Sequence, residues 1–197
     1  MNNPKTLLTF LAGALLALGV SGCSNQGEQQ APAEPTQRTP AEQPSQPRQA
    51  VARIDSKSGS SMFGSASFRQ EGDTVLFRVT ISGAEPGLHA VHIHEFGDCS
   101  AEDGSSAGGH WNPTGDEHGR WGEPRHHLGD IGNIEVGEDG EGSLELATDV
   151  WSVGTGDEND VIGKSIVVHG GADDFVSQPS GAAGARIGCG AIAPDEA

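Results

Sequence analysis

Between residues 74 and 81 the chain alternates without a break. Val75, Phe77, Val79 and Ile81 fall on one side, and Leu76, Arg78 and Thr80 on the other. A period of two marks a strand with one buried face. Glu71, Gly72 and Asp73 ahead of it read as a turn, and Asp139-Gly140 reads as a hairpin turn joining 133–136 to 143–147. Further apolar runs place strands at 51–57, 62–70, 89–95, 164–169 and 185–192, eight in all. No long stripe at the helical period interrupts them. The pattern predicts one all-β domain over 51–197, eight-stranded, with two long irregular stretches at 97–129 and 170–184. Stretches of that length without regular structure are usually functional or disordered.

The first fifty residues follow other rules. Lys5 precedes an apolar run over 7–20 that is short for a membrane span, so 1–22 reads as a targeting segment. It closes on Val20-Ser21-Gly22-Cys23, which resembles a bacterial lipoprotein cleavage box with Cys23 as the lipidated residue. An ordinary signal peptide with an incidental cysteine is the other reading. Residues 23–50 are rich in Pro, Gln, Glu, Ser and Ala and are expected to be a disordered linker, holding the domain off a membrane. Lipid anchorage to a bacterial cell envelope follows, in the periplasm or on the cell surface. The whole chain carries 11 basic and 28 acidic residues, a net −17. Without Lys5 the count is 10 against 28, or −18. Such acidity argues against nucleic acid as a partner.

Seven of the eight histidines lie between Gly87 and Asp130, and the eighth, His169, ends the run SIVVH. His92 and His94 are two apart, so on a strand both imidazoles project from one face while Val91 and Ile93 project from the other. His110, His118, His127 and Asp130 follow in Gly-rich sequence. Six histidines and an aspartate are enough ligands for two metal ions, since imidazole suits copper and zinc, and three imidazoles with one carboxylate make a closed zinc site. The remaining cysteines, Cys99 and Cys189, are most simply a disulfide in an exported protein, with two free thiols acting as soft ligands the alternative.

The stretches GLHAVHIHEFGDCS, SAGGHWNP, HHLGDIGN, IVVHGGADDF and GAAGARIGCGAI, in this order and spacing, resemble the bacterial, extracytoplasmic copper/zinc superoxide dismutases. The resemblance spans nearly all of 51–192 and implies an eight-stranded Greek-key β-barrel or sandwich. It implies copper held by His92, His94, His110 and His169, and zinc by His110, His118, His127 and Asp130, with His110 as the bridge. Arg186 would attract and orient the substrate anion. Asp173 would link a copper-ligand histidine to a zinc-ligand histidine, and His89 would be structural. The implied reaction converts two superoxide anions to oxygen and hydrogen peroxide, with His110 giving up a proton. Homodimerisation is left open. A metal-buffering protein on the same fold is the rival reading, and the complete ligand set with Arg186 weighs against it. A structural envelope protein would leave the matched histidines unexplained.

Other residues carry milder expectations. His127 rather than His126 stands in the H-x-G-D pattern. Trp111, Trp121 and Trp151 are expected to pack against loops, Arg120 and Arg125 to form loop ion pairs, and Glu102 and Asp103 to be solvated. The second loop departs from its eukaryotic relatives: Pro179 and Ser180 stand where those often carry lysine and threonine, and Gly181-Ala182-Ala183-Gly184 replaces the usual GNAG. With so acidic a chain, long-range attraction of an anion is expected to be weak.

Overall fold

The computed structural model describes residues 48–196. The targeting segment expected at 1–22, Cys23 and the linker as far as residue 47 lie outside the described residues. All eight expected strands form: β1 Gln49–Ser56, β2 Phe63–Glu71, β3 Thr74–Ser82, β4 Gly87–His94, β5 Asp130–Val136, β6 Glu141–Thr148, β7 Ser165–His169 and β8 Arg186–Ala191. A two-residue β9, Ala193–Pro194, adds to β1 and had no signal in the pattern. The domain also starts earlier than residue 51. Ala50 pairs with Phe68 and Pro194 and is fully buried, but a lone alanine among prolines and glutamines looks like linker.

Neighbouring strands pair antiparallel in the order β2-β3-β6-β5-β4-β7-β8-β1, and a β1–β2 pairing closes the sheet into a barrel. Because β6 rather than β4 lies beside β3, the chain crosses the barrel end between β3 and β4 and again between β6 and β7, a Greek-key path. Val75, Phe77, Val79 and Ile81 all point into the interior. Outside, Arg78 sits opposite Glu145 and pairs with it at 3.0 Å.

Phe68 and Phe77 are register partners with ring centroids 4.9 Å apart, and Trp151 meets Phe77 edge-on at 5.7 Å. Burying each such ring contributes about 1.5–3 kcal/mol. Trp111 and Trp151 are therefore core residues rather than loop packing, and Trp121 packs on the core's edge. The Trp151 indole N–H donates to the Leu128 carbonyl at 2.9 Å, so the core reaches the ligand loop directly.

That loop, 95–129, is pinned in two places. Cys99 and Cys189 form a disulfide, which ties it to β8 over a separation of 90 residues. Loop closure of this span is worth up to about 4.5 kcal/mol in a chain-entropy account. Farther on, Ile93 of β4 accepts from the Trp111 N–H at 2.8 Å and donates to the Gly129 carbonyl at 2.9 Å. A Cβ on Gly129 would lie 2.1 Å from the Ile93 oxygen, so only glycine lets the loop return this close to β4.

Candidate metal centre

Alternation along β4 sends Val91 and Ile93 into the barrel and His92 and His94 to its outer side, as expected, but that side is not open to solvent. The two long loops roof it, and both imidazoles are buried. A short bridge pairs His110 with His94. At the end of β7 the register shifts between Val168 and His169, which sets His169 opposite Arg186 of β8. Such irregularities re-aim side chains at functional sites.

His92, His94, His110 and His169 form one group whose ligand atoms lie within 4.8 Å of one another. Each ring is held through one nitrogen. His92 Nε2 meets Asp173 Oδ2 at 2.8 Å, and His94 Nδ1 meets the Gly108 carbonyl at 3.0 Å. His110 Nδ1 meets Asp130 Oδ1 at 2.8 Å, and His169 Nδ1 meets the Gly184 carbonyl at 3.3 Å. The other nitrogens, His92 Nδ1 and the Nε2 atoms of His94, His110 and His169, are buried without a hydrogen-bond partner. A neutral imidazole donating from one nitrogen presents a lone pair at the other. Four buried, converging lone pairs are costly unless a cation receives them, so these residues fit a metal ion.

His110, His118, His127 and Asp130 form a second group, also within 4.8 Å. Asp130 Oδ1 lies 2.8, 3.0 and 3.2 Å from the Nδ1 atoms of His110, His118 and His127. The Nδ1 atoms of His127 and His110 are 3.5 Å apart. A tetrahedral zinc with bonds of about 2.0–2.1 Å sets its donors about 3.3 Å apart, so this packing fits zinc. The other carboxylate oxygen accepts the backbone N–H groups of Gly119 (3.0 Å) and His127 (2.8 Å), which orients the carboxylate.

The electrostatics divide the same way. Burial, with neighbouring imidazoles, lowers His94 well below its usual range, His110 to about 4 and His169 to about 3. For His118 burial acts downward too, but bonds to Asp130 and Asp173 outweigh it and raise the group to about 9. Burial pushes Asp130 and Asp173 upward, yet their histidine partners hold both below the carboxylate range.

Asp173 lies between the groups. Its Oδ2 meets His92, and its Oδ1 meets His118 Nε2 at 2.9 Å. Arg186 donates to the Gly104 carbonyl at 2.6 Å and to the Gly108 carbonyl at 2.7 Å, sharing Gly108 with His94. Glu102 and Asp103 are exposed as expected. His89 and His126 belong to neither group. The ring nitrogens of His89 lie 2.8 Å from the carbonyls of His169 and Glu85, and His126 rests on Trp121. Arg125 pairs with Glu117 at 3.1 Å, but Arg120 makes no ion pair among the described residues: its guanidinium lies over the Phe175 ring, 3.8 Å from the centroid.

Three residues that support the site escaped sequence reasoning. The Asn133 side chain brackets Asp173, accepting from its N–H at 2.7 Å and donating to its carbonyl at 3.0 Å. Gln178 clamps the His118 backbone in the same two-way fashion, both bonds 2.9 Å. Gly181, at φ 66°, passes so close that a Cβ would lie 1.9 Å from Asp173 Oδ1 and 2.7 Å from His118 Nε2. Only Asn133 and Gly181 carried a signal, through the quoted stretches that contain them.

A closed antiparallel barrel bearing two adjoining buried ligand groups, with one histidine common to both, defines an all-β metalloprotein built for two ions. The family model described as copper/zinc superoxide dismutase matches residues 62–192, and the chain belongs to this family of copper- and zinc-using oxidoreductases that act on superoxide. Among solved structures it is similar to that described as the clock protein EA4, at 31% identity and a TM-score of 0.67, covering 75% of this chain and 94% of that one.

Proposed function

We propose that His92, His94, His110 and His169 hold copper, that His110, His118, His127 and Asp130 hold zinc, and that two superoxide anions and two protons become oxygen and hydrogen peroxide beside Arg186. The four unpartnered, converging ring nitrogens of the first group carry this reading. Copper, when bound, supplies the one-electron couple that takes an electron from one superoxide and returns it to the next, while zinc is redox-silent. The chain contributes placement. Two carbonyls fix the Arg186 guanidinium, one of them the Gly108 carbonyl that also holds His94, so its charge is offered to an anion arriving at the first group. His110 keeps Nδ1 beside Asp130, which leaves Nε2 as the atom to carry a proton to the departing peroxide.

The metal-loaded full chain is expected to hold one copper and one zinc and to dismutate superoxide. Arg186→Ala is expected to slow it about 10- to 100-fold at unchanged metal content, the cost of losing a charge-assisted contact. Both metals bound without dismutation would point to metal buffering instead. With little long-range steering, raising the ionic strength should change the rate only slightly, and a steep fall would contradict that expectation.

The domain is read as a bacterial, extracytoplasmic one, tethered by residues 23–50 to a lipid at Cys23 after removal of 1–22. The support is the Val20-Ser21-Gly22-Cys23 box and the composition of the linker. Mass spectrometry of the N-terminal peptide tests it: a diacylated Cys23 is expected, and an unmodified N-terminus elsewhere would refute it.

A further inference from the structure

Asp173 can join the two ligand groups only if its carboxylate is held still, and the loop that carries it has little regular structure to do this. Part of the hold is local: the Phe175 N–H donates back to Asp173 Oδ1 at 2.7 Å. Phe175 itself sits at φ 64°, a left-handed conformation that bulky residues rarely adopt. Something must keep the ring in place against that strain. The ring is half-buried, a Cβ added to Gly132 of β5 would lie 3.8 Å from its edge, and the Arg120 guanidinium lies over it 3.8 Å from the centroid. Arg120 in turn follows His118 and Gly119, whose ring and N–H bond Asp173 and Asp130. The two loops thus meet at one stack, directly beside the bridging carboxylate.

We propose that the Arg120–Phe175 stack is a strap that positions Asp173 between His92 and His118, and so sets how firmly the second group retains zinc. Arg120 and Phe175 are positioning residues, since a guanidinium cation and a phenyl ring offer no lone pair to a metal. The inference rests on the zinc assignment above and goes beyond it. Of the charged groups around the stack, Glu117 pairs with Arg125, and Asp174 accepts from Val176 and Ser177. Among the described residues Arg120 pairs with neither of them nor with Glu123; the contact the structure gives it is the Phe175 face.

Zinc release from the copper- and zinc-loaded full chain to a chromogenic chelator tests it, alongside the Cu(II) electron paramagnetic resonance spectrum. Arg120→Ala should speed release on the order of threefold, as expected for losing one exposed cation–π contact. Phe175→Gly is the sharper variant, because glycine accepts the left-handed backbone freely. If the ring is a strap, release speeds; if the ring is merely tolerated, relief of strain slows release and the proposal fails. Phe175→Tyr keeps the stack and should match the parent. Arg120→Ala with Phe175→Gly should release no faster than Phe175→Gly alone, and effects that multiply would overturn the coupling. The copper spectrum should shift in Arg120→Ala and Phe175→Gly, since Asp173 also holds His92, and an unmoved spectrum would count against the strap. A parent protein that binds copper but no zinc would sink the zinc assignment first, and the strap with it.

Discussion

The two ligand groups are neighbours built by opposite means. The first stands mostly on strands: His92 and His94 on β4, which is paired on both sides by β5 and β7, and His169 on β7, between β4 and β8. Its strand-borne rings are placed by backbone ladders, and burial lowers His94, His110 and His169. The second takes His118 and His127 from a loop and Asp130 from the first position of β5. It is held by charge, since Asp130 gathers three imidazoles and two backbone N–H groups while Gln178 clamps His118. A site fixed by the barrel should keep its shape when its ion is removed. A site fixed by charges around an ion should loosen.

The strongest way to separate the two is Asp130→Ala. The change removes a ligand and leaves the N–H groups of Gly119 and His127 buried without acceptors, at about 1–3 kcal/mol each. Outer partners of metal ligands alone are worth about 10- to 100-fold in affinity, so losing a ligand should cost zinc more than about a hundredfold. Copper uptake should survive, because three of its four ligands stay on strands. Metal counts after dialysis against a chelator decide it: joint loss of both metals would show that the strand-mounted group is not independent.

The same division explains what could be read from the chain. Period-two alternation announced β3, and the His92–His94 spacing announced a strand-mounted pair, because strand geometry maps sequence position onto a face. The loop ligands surfaced as histidines in glycine-rich sequence and, through resemblance, as a set. Their supports did not. Gln178 looks like an ordinary polar loop residue, and Asn133 like the polar start of a strand, until the fold brings them to His118 and Asp173, 60 and 40 positions away. Arg120 looked like half of an ion pair, since acids surround it in sequence, and only the second loop's return supplies Phe175. Trp151 looked like loop packing because it falls between the expected strands at 143–147 and 164–169.

Gly181→Ala sharpens the comparison with a smaller change. The added methyl would overlap Asp173 Oδ1 and His118 Nε2 at a backbone position that already disfavours a side chain. The carboxylate must move, and zinc affinity should fall about 10- to 100-fold by the measure of lost outer partners. Copper content should hold at one per chain. Zinc affinity unchanged by competition titration would mean that the loop yields at no cost, and that charge does not hold the second group as tightly as argued.

The mildest test is the stability of the metal-free protein against pH, where the groups should differ in sign. His94, His110 and His169 are lowered in the fold, to about 4 and about 3 for the latter two, against about 6.5 in an unfolded chain. The unfolded chain then binds more protons below pH 6.5, so their contribution is intact above that value and is lost as pH falls toward 3. Asp130 and Asp173, also lowered, add to this acid limb only below about pH 4. His118 is raised to about 9, so its contribution is intact below pH 6.5 and is lost as pH rises through 9. Thermal unfolding of the metal-free chain should therefore peak near neutrality, with an alkaline limb that His118→Asn abolishes and an acid limb that it leaves standing. An alkaline limb that persists in that variant would assign the effect elsewhere and remove the electrostatic half of the contrast between the two groups.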